Sequence, residues 1–453
     1  MTEPTIVWLR DDLRVGDNPA LVAAVERGGP VVVVYLLDEE SEGVRPLGGA
    51  SKWWLHYSLT SLAESIETLG GSLTLRRGAA ESVIPSLVDE TGATAVYWNR
   101  RYGAAREVDA RLKSRFKEQG IDAQSYQANL LFEPWTVQNQ SGNPFQVFTP
   151  FWKTCLDRGV SREPLATPSS FESPTDVPSD DLDDWSLLPA HPDWAGGLRE
   201  HCEPGEDAAH ERLEQFVEDA LERYDERDYP GVEATSGLSP YLRFGEISPL
   251  QIWHRVRQPL DGAAQKNVDK FLSEVGWREF NYSILFTNTA LAEKNYREEF
   301  DTFEWDEPST LALEAWQQGR TGIPLVDAGM RELWESGTMH NRVRMVCASF
   351  LIKNLLIDWR IGEKWFWDCL VDADEASNPG NWQWVAGSGA DAAPYFRVFN
   401  PVLQAEKFDR DSAYIKRWVP EYGTDEYPEP IVDLAASREE ALARYAASRP
   451  SAG

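Results

Sequence analysis

Strand-like and helical signals alternate over the first 130 residues, a proline-rich stretch follows, and from residue 206 to about 372 the periodicity is helical. Together these observations predict an α/β N-terminal domain with a parallel, Rossmann-like sheet, followed by an all-α C-terminal domain. The expected boundaries are 1–130 for the first domain, 131–205 for an interdomain linker and 206–453 for the helical domain. A chain of 453 residues is long enough to give each of the two domains its own core.

In chain order, TIVWLR (5–10) and PVVVVYLLD (30–38) read as buried strands, as do SLTLRRG (72–78) and AVYWNRR (95–101). Helical patterns lie between and after them, at about 18–28, 50–70, 79–91 and 104–119. No strand leads into GxGxxG or GxxxxGK[ST], so a dinucleotide fingerprint or a nucleotide P-loop is not supported. The run SREPLATPSSFESPTDVPSDDLDDWSLLPAHPDW is rich in Pro, Ser and Asp and reads as a connection wrapped on the surface. After 206 the pattern is helical to about 372. Its clearest helix is His340–Ile357, with Val343, Val346, Cys347, Phe350 and Leu351 at core spacing.

Charge narrows the function. Asp and Glu number 74 against 44 Lys and Arg, a net charge of −30. A chain so acidic binds nucleic acid only if its arginines gather locally, because phosphates need cations. The 19 tryptophans exceed the needs of a core; their flat rings can stack on other rings or relay electrons. Cys155, Cys202, Cys347 and Cys369 are far apart, which argues against a disulfide framework or zinc ribbon, and no metal site is expected. With no signal-peptide pattern and no apolar run of the roughly 18–20 residues a membrane span needs, the expectation is a soluble, cytoplasmic monomer.

Three segments of the helical half carry candidate chemistry. Opposite the apolar stripe of 340–357, Asn341 and Met345 lie one turn apart: a solvated helix face, or the wall of a cavity for a flat, partly polar ring. Within DKFLSEVGWREF, Glu274, Trp277 and Arg278 share a side by spacing. That reads as a surface ion pair beside a core Trp, or as a carboxylate and an indole turned to one ligand. The third segment is DADEASNPGNWQW (372–384). It fails as a calcium loop, with Ser377 where Gly is required and Gln383 where Glu is required.

These residues fall within longer motifs: WLRDDLRVGDNPAL, TSGLSPYLRFGEIS (235–248), WREF (277–280), GIPLVDAGMREL (322–333), MHNRVRM (339–345) and NWQWVAGSGADAAPYFRVFNP (381–401). In this order they resemble the photolyase/cryptochrome flavoprotein family, from about residue 5 to 445. The resemblance is nearest to bacterial cyclobutane pyrimidine dimer photolyases of class I or the plant-cryptochrome-like class III.

The resemblance implies FAD in the helical domain and an antenna chromophore, methenyltetrahydrofolate or 8-hydroxydeazaflavin, in the α/β domain. Thr235, Ser236, Gly237, Leu238 and Ser239 match the loop holding the pyrophosphate, and Tyr224 the tyrosine before it. Arg344 and Asp372 match the ion pair beside the isoalloxazine, Asp374 its polar edge, and Asn378 the amide facing N5. A neutral amide there favours FADH• and FADH⁻. The implied activity is light-driven electron donation to a pyrimidine dimer flipped from UV-damaged DNA, preferably duplex. Trp277 and Trp384 would clamp the lesion, Glu274 would hydrogen-bond it, and Asn341 and Met345 would complete the pocket. Members acting on (6-4) photoproducts carry histidines at those last two positions. Asn341 and Met345 cannot supply a proton, so a cyclobutane specialist is expected. Trp382, Trp359 and Trp305 match the family's electron relay. Arg227, Arg278, Arg342, Arg397 and Lys407 match DNA contacts.

Thr338 stands where the family usually has Trp, and Phe271 where some members have Trp. SKWWLHYSL (51–59) and LLFEPWT (130–136) resemble the subgroup that often uses the folate. Gly103–Arg106, however, lacks the carboxylate that folate-binding bacterial members carry, and Lys294 is a candidate folate contact. The alternative function is a cryptochrome-type blue-light photoreceptor without repair. Only about 50 residues follow APYFRVFNP, so a signalling extension is not expected.

Overall fold

The sheet is built from β1 Thr5–Leu9, β2 Val31–Leu37, β3 Leu73–Arg77, β4 Ala95–Asn99 and β5 Asp122–Tyr126. All pairings are parallel, in the order β3-β2-β1-β4-β5, with Val7 opposite both Val33 and Tyr97. The computed structural model describes residues 3–258, 265–393 and 396–448; Pro394 and Tyr395 of the 381–401 motif lie outside them. Alternation of side chains along each strand divides the core in two. Val7, Leu9, Val31 and Val33 face α1 Pro19–Arg27 and α2 Gly49–Thr68. Ile6, Trp8, Val32 and Val34 face α3 Ala80–Thr91 and α4 Arg106–Glu118. Strands covered on both faces are continuously apolar, which is why β1, β2 and β4 are legible in the sequence.

The sequence reading missed β5. Its DAQSY is polar because the strand is a half-exposed edge, anchored by Asp122, whose Oδ2 accepts from Tyr97 OH at 2.6 Å. Residues 131–205, expected as an interdomain linker, also hold a core helix. This is α5 Phe148–Arg158, whose Phe148, Phe151, Trp152 and Cys155 enter the same core as β1 and β2. Those four residues have the i, i+3, i+4, i+7 spacing of an amphipathic helix. The prolines begin only after this helix, so averaging composition over the whole stretch hides it.

The helical half continues past 372, through Ser377–Ala386, Pro401–Phe408, Ala413–Trp418 and Leu434–Ser448. The helix expected over 340–357 is α only from Asn341 to Ser349; Phe350–Asn354 is a π turn and Leu356 has φ 54°. The wider turn carries Lys353 inward, where it donates to the Arg397 carbonyl and sits 4.5 Å from the Phe396 ring. Among the described residues no helix is long and apolar enough to cross a membrane.

Buried polar contacts join the two halves. The Glu206 carboxylate accepts from Val15 N at 2.7 Å and Gly16 N at 2.8 Å, and Arg14 donates to the Gly245 carbonyl at 2.7 Å. Helix Gln265–Thr287 spans the junction: Glu279, on one side, accepts from Phe132 N at 3.0 Å, while Glu274 faces into the helical half.

Candidate flavin and lesion site

Two clusters are assembled from elements far apart in sequence. In the first, Arg344 and Asp372 form a bidentate pair at 3.0 and 2.9 Å, and Ser239 Oγ donates to Asp372 Oδ2 at 2.6 Å. The Arg344 Nε also donates to the Met339 carbonyl at 2.6 Å, which fixes the plane of the guanidinium. Ser239 opens helix Ser239–Phe244, so this contact ties the 235–239 loop to the 372–384 segment. Asp374 Oδ1 accepts from Ala376 N at 2.7 Å and from Ser377 N at 2.5 Å, capping helix Ser377–Ala386. On that helix the Asn378 Nδ2 donates to the Glu363 carboxylate at 2.8 Å and to the Glu363 carbonyl at 3.1 Å.

The loop itself has the donor set of an anion cradle. The backbone N–H groups of Thr235, Ser236 and Gly237 have no acceptor among the described residues. Behind them Arg212 donates to the Ser236 carbonyl at 2.7 Å and the Thr235 carbonyl at 3.1 Å. Gly237 has φ +65°, and a Cβ there would lie 2.7 Å from Arg212 Nε, so this position requires glycine on both counts. Free amides, exposed hydroxyls and a nearby cation fit a pyrophosphate. The Asn378 Oδ1, with its NH₂ already committed, fits a ring N–H. The residues present therefore fit FAD. Arg212 and Glu363 were not found from sequence, because each acts through partners 15 or more positions away.

In the second cluster, Glu274 pairs with Arg227 at 2.9 Å and lies 3.8 Å from Lys270. Burial pushes its carboxyl above the ordinary range, with Arg227 opposing. Arg227 lies 5.6 Å from the ring of Tyr224, which is buried against Phe216 and Phe271. Facing them, helix Asn341–Ser349 presents Asn341, exposed, and Met345, half-buried, on one side. His340 caps this helix: its Nδ1 accepts from Arg342 N at 3.2 Å and its Nε2 donates to the Arg227 carbonyl at 2.9 Å. Burial lowers its pKa to about 4, so both nitrogens are committed in the neutral form. Arg342 pairs with Asp228 at 3.1 Å and approaches Met345 Sδ at 4.0 Å. Trp277 stacks on Phe148 at 4.0 Å, and Trp384 donates to the Asp391 carbonyl at 3.2 Å.

One expectation is corrected. Arg278 does not pair with Glu274. Its guanidinium donates to the Asn129 carbonyl at 2.7 Å and lies 4.8 Å from the Tyr282 ring, inside the interdomain cleft. Those contacts occupy Arg278, whereas Glu274 takes its cations from Arg227 and Lys270. Of the remaining basic residues, Arg397 lies over Phe399 at 5.5 Å and Lys407 over Phe408 at 4.8 Å.

Trp382 and Trp359 are buried, at 3% and 0% exposure. A Cβ on Gly362, one turn from Trp359, would collide with the Trp382 ring; glycine there lets the ring lie against the helix carrying Trp359. Trp359 Nε1 donates to Asn295 at 3.0 Å. Trp305 is half-buried, its ring 4.4 Å from Phe303.

A further cleft opens at the carboxyl ends of the strands, where ligands of open α/β sheets bind. Arg10 and Asp11 beyond β1, Asp38 beyond β2 and Arg100 beyond β4 meet Tyr282 and Glu375 of the helical half. Glu375 places its carboxylate against Gly103, so the other half supplies an acid where 103–106 has none. Lys294 is exposed and outside the cleft lining.

Comparison with known proteins adds to this geometry. Residues 5–169 match the family model described as DNA photolyase, and residues 271–425 the FAD binding domain of DNA photolyase. The chain is 49% identical to a deoxyribodipyrimidine photo-lyase of Agrobacterium fabrum, over 98% of both chains. A crystal structure of a bacterial class III photolyase from Agrobacterium tumefaciens superposes with TM-score 0.94 at 48% identity, covering 99% of this chain and 98% of that one. An archaeal photolyase from Sulfolobus tokodaii, solved with two FAD molecules, superposes with TM-score 0.84 at 30% identity, over 98% of this chain and all of that one.

Proposed function

The chain belongs to the DNA photolyase family, and from that premise we propose that it repairs cyclobutane pyrimidine dimers in UV-damaged duplex DNA, using light and bound FAD. The observation that carries the choice of lesion is the wall formed by Asn341, Met345 and His340. A (6-4) photoproduct needs a proton donor at this wall. Asn341 and Met345 have none to give, and the His340 imidazole is neutral with both nitrogens engaged. A cyclobutane dimer opens without net proton transfer, which this wall permits.

When bound, FAD would supply the light-driven, reversible electron donation that opens the cyclobutane ring with no net redox change. The protein's part is positioning and charge. Thr235–Ser239, backed by Arg212, would hold the pyrophosphate, the Arg344–Asp372 pair and Asp374 would serve the ring system, and Asn378, its NH₂ committed to Glu363, would offer Oδ1 to a ring N–H. Trp277 and Trp384 receive the flipped bases by stacking, which is worth about 1–3 kcal/mol per base. Glu274, held beside Arg227, would hydrogen-bond the pyrimidine where negative charge develops. Arg227, already against Glu274, adds a positive partner. Trp382, Trp359 and Trp305 would relay electrons from the surface to oxidised cofactor.

Arg227, Arg342, Arg397 and Lys407 rim the site against DNA phosphates. In the free protein the first two are paired with Glu274 and Asp228, so the rim engages DNA through few net contacts. The cleft at the strand ends is the antenna site, with Arg10, Arg100 and Glu375 offering charged partners to a folate or a deazaflavin. The enzyme acts as a cytoplasmic monomer. The test is light-dependent loss of a defined dimer from duplex DNA by the flavin-loaded, reduced protein. A protein that binds and cycles FAD but restores no dimer would instead be a photoreceptor.

A further inference from the structure

We propose that Arg45 is a positioning residue for the flavin site: by clamping the Glu363 carboxylate it fixes which end of the Asn378 amide faces the isoalloxazine. The inference rests on the flavin reading above and adds a residue from the other domain to it.

Arg45 follows β2 in the α/β half and lines the interdomain cleft. Its guanidinium crosses to helix Trp359–Cys369 and grips Glu363 with two bonds, Nη1 to Oε1 at 2.6 Å and Nη2 to Oε2 at 2.9 Å. The Glu363 side chain is 1% exposed. The Trp367 ring, one turn further along, lies 3.9 Å from the Arg45 guanidinium carbon. The same loop is held by Trp367 Nε1 on the Pro46 carbonyl at 2.9 Å and by Gly49 N on Asp368 at 2.8 Å. Arg45 is thus set by its neighbours as well as by its charge.

A carboxylate held this way only accepts hydrogen bonds, and the Glu363 backbone carbonyl can do nothing else. Asn378 meets both, at 2.8 and 3.1 Å, so its NH₂ end must face Glu363 and its Oδ1 must face away. With an apolar residue at 45, Glu363 becomes a buried charge whose remaining side-chain partner is an amide N–H. Taking up a proton relieves that state. A protonated carboxyl donates, the amide turns to accept from it, and the NH₂ end then faces the flavin. An NH₂ group cannot accept the N5–H of reduced flavin.

The test compares parent, R45M, R45K and N378S, each with stoichiometric flavin and without DNA, by dark reoxidation in air and by midpoint potential. R45M is expected to reoxidise at least about tenfold faster than the parent, the factor corresponding to roughly 1.4 kcal/mol of lost hydrogen bonding. Its midpoint potential is expected to be lower, and R45K, which restores a cation, to recover most of both changes. R45M matching the parent while N378S differs overturns the role of Arg45 and leaves the flavin site standing. N378S matching the parent as well overturns both. An independent measurement on protein with the native Arg45 covers the case in which R45M fails to fold. The infrared difference between parent and E363Q is expected to lose an ionised carboxylate band, and loss of a protonated carboxyl band instead overturns the proposal.

Discussion

The Arg227 guanidinium lies 2.9 Å from the Glu274 carboxylate, so in the DNA-free protein the group that would meet the lesion already has a cation beside it. The Arg227 carbonyl in turn accepts from His340, the cap of the helix bearing Asn341 and Met345. Both walls of the lesion pocket are therefore held through one arginine, and several outcomes depend on it.

Glu274→Ala removes the hydrogen-bonding group beside the charged pyrimidine while leaving the stacking surfaces of Trp277 and Trp384. Repair per absorbed photon is expected to fall by about two- to tenfold, the value of one hydrogen bond of roughly 0.5–1.5 kcal/mol. Affinity for undamaged duplex should not fall, and should rise slightly because Arg227 loses its counter-charge. Action spectra on a defined dimer, with gel-shift controls, check both parts.

Arg342→Ala removes one phosphate contact from a rim whose charges are partly offset by Asp228 and Glu274. The slope of log affinity against log salt is expected to drop by about 1 and to be shallow in the parent. Fluorescence anisotropy between low and moderate salt measures it; a flat parent titration would exclude the rim.

Trp382→Phe is expected to abolish light-driven reduction of oxidised flavin, yet leave repair by chemically reduced protein intact. Absorbance under blue light with an external donor reads the first, and dimer repair in dithionite the second. Loss of both would make Trp382 part of the core alone.

Much of this was legible in the sequence because it is local. β1, β2 and β4 announce themselves as apolar runs, and the pairing of Arg344 with Asp372 is implied by the family resemblance. What was missed is polar, diluted or long-range. β5 is a polar edge strand, and α5 was masked by the prolines that follow it. The pairing of Arg278 with Glu274 failed because i, i+4 spacing cannot say which partner wins, and Arg227 lies 47 positions from Glu274. The contact between Arg45 and Glu363 spans 318 positions, which no local pattern encodes.

The domain junction carries a pH signature. Burial pushes Glu206 and Glu279 up to about 7 and Glu246 up to about 8. These carboxyls keep their protons to higher pH folded than unfolded, so the folded state binds more protons between about pH 5 and 8. Their stabilisation is full below the ordinary carboxylate range and is lost as pH rises through 7 to 8. The thermal midpoint is expected to fall from pH 5 to pH 8.5, and Glu246→Gln to flatten that fall. A midpoint rising with pH over this window would contradict the assignment.

The most direct test of the central claim uses two duplexes, one with a single thymine cyclobutane dimer and one with a (6-4) photoproduct at the same site. Both are mixed with reduced, flavin-loaded protein in blue light and in darkness, and the readout is recovery of a restriction site spanning the lesion. Light-dependent recovery from the cyclobutane duplex alone is the predicted result. Recovery from the (6-4) duplex, or from neither with flavin bound and reduced, would contradict the account.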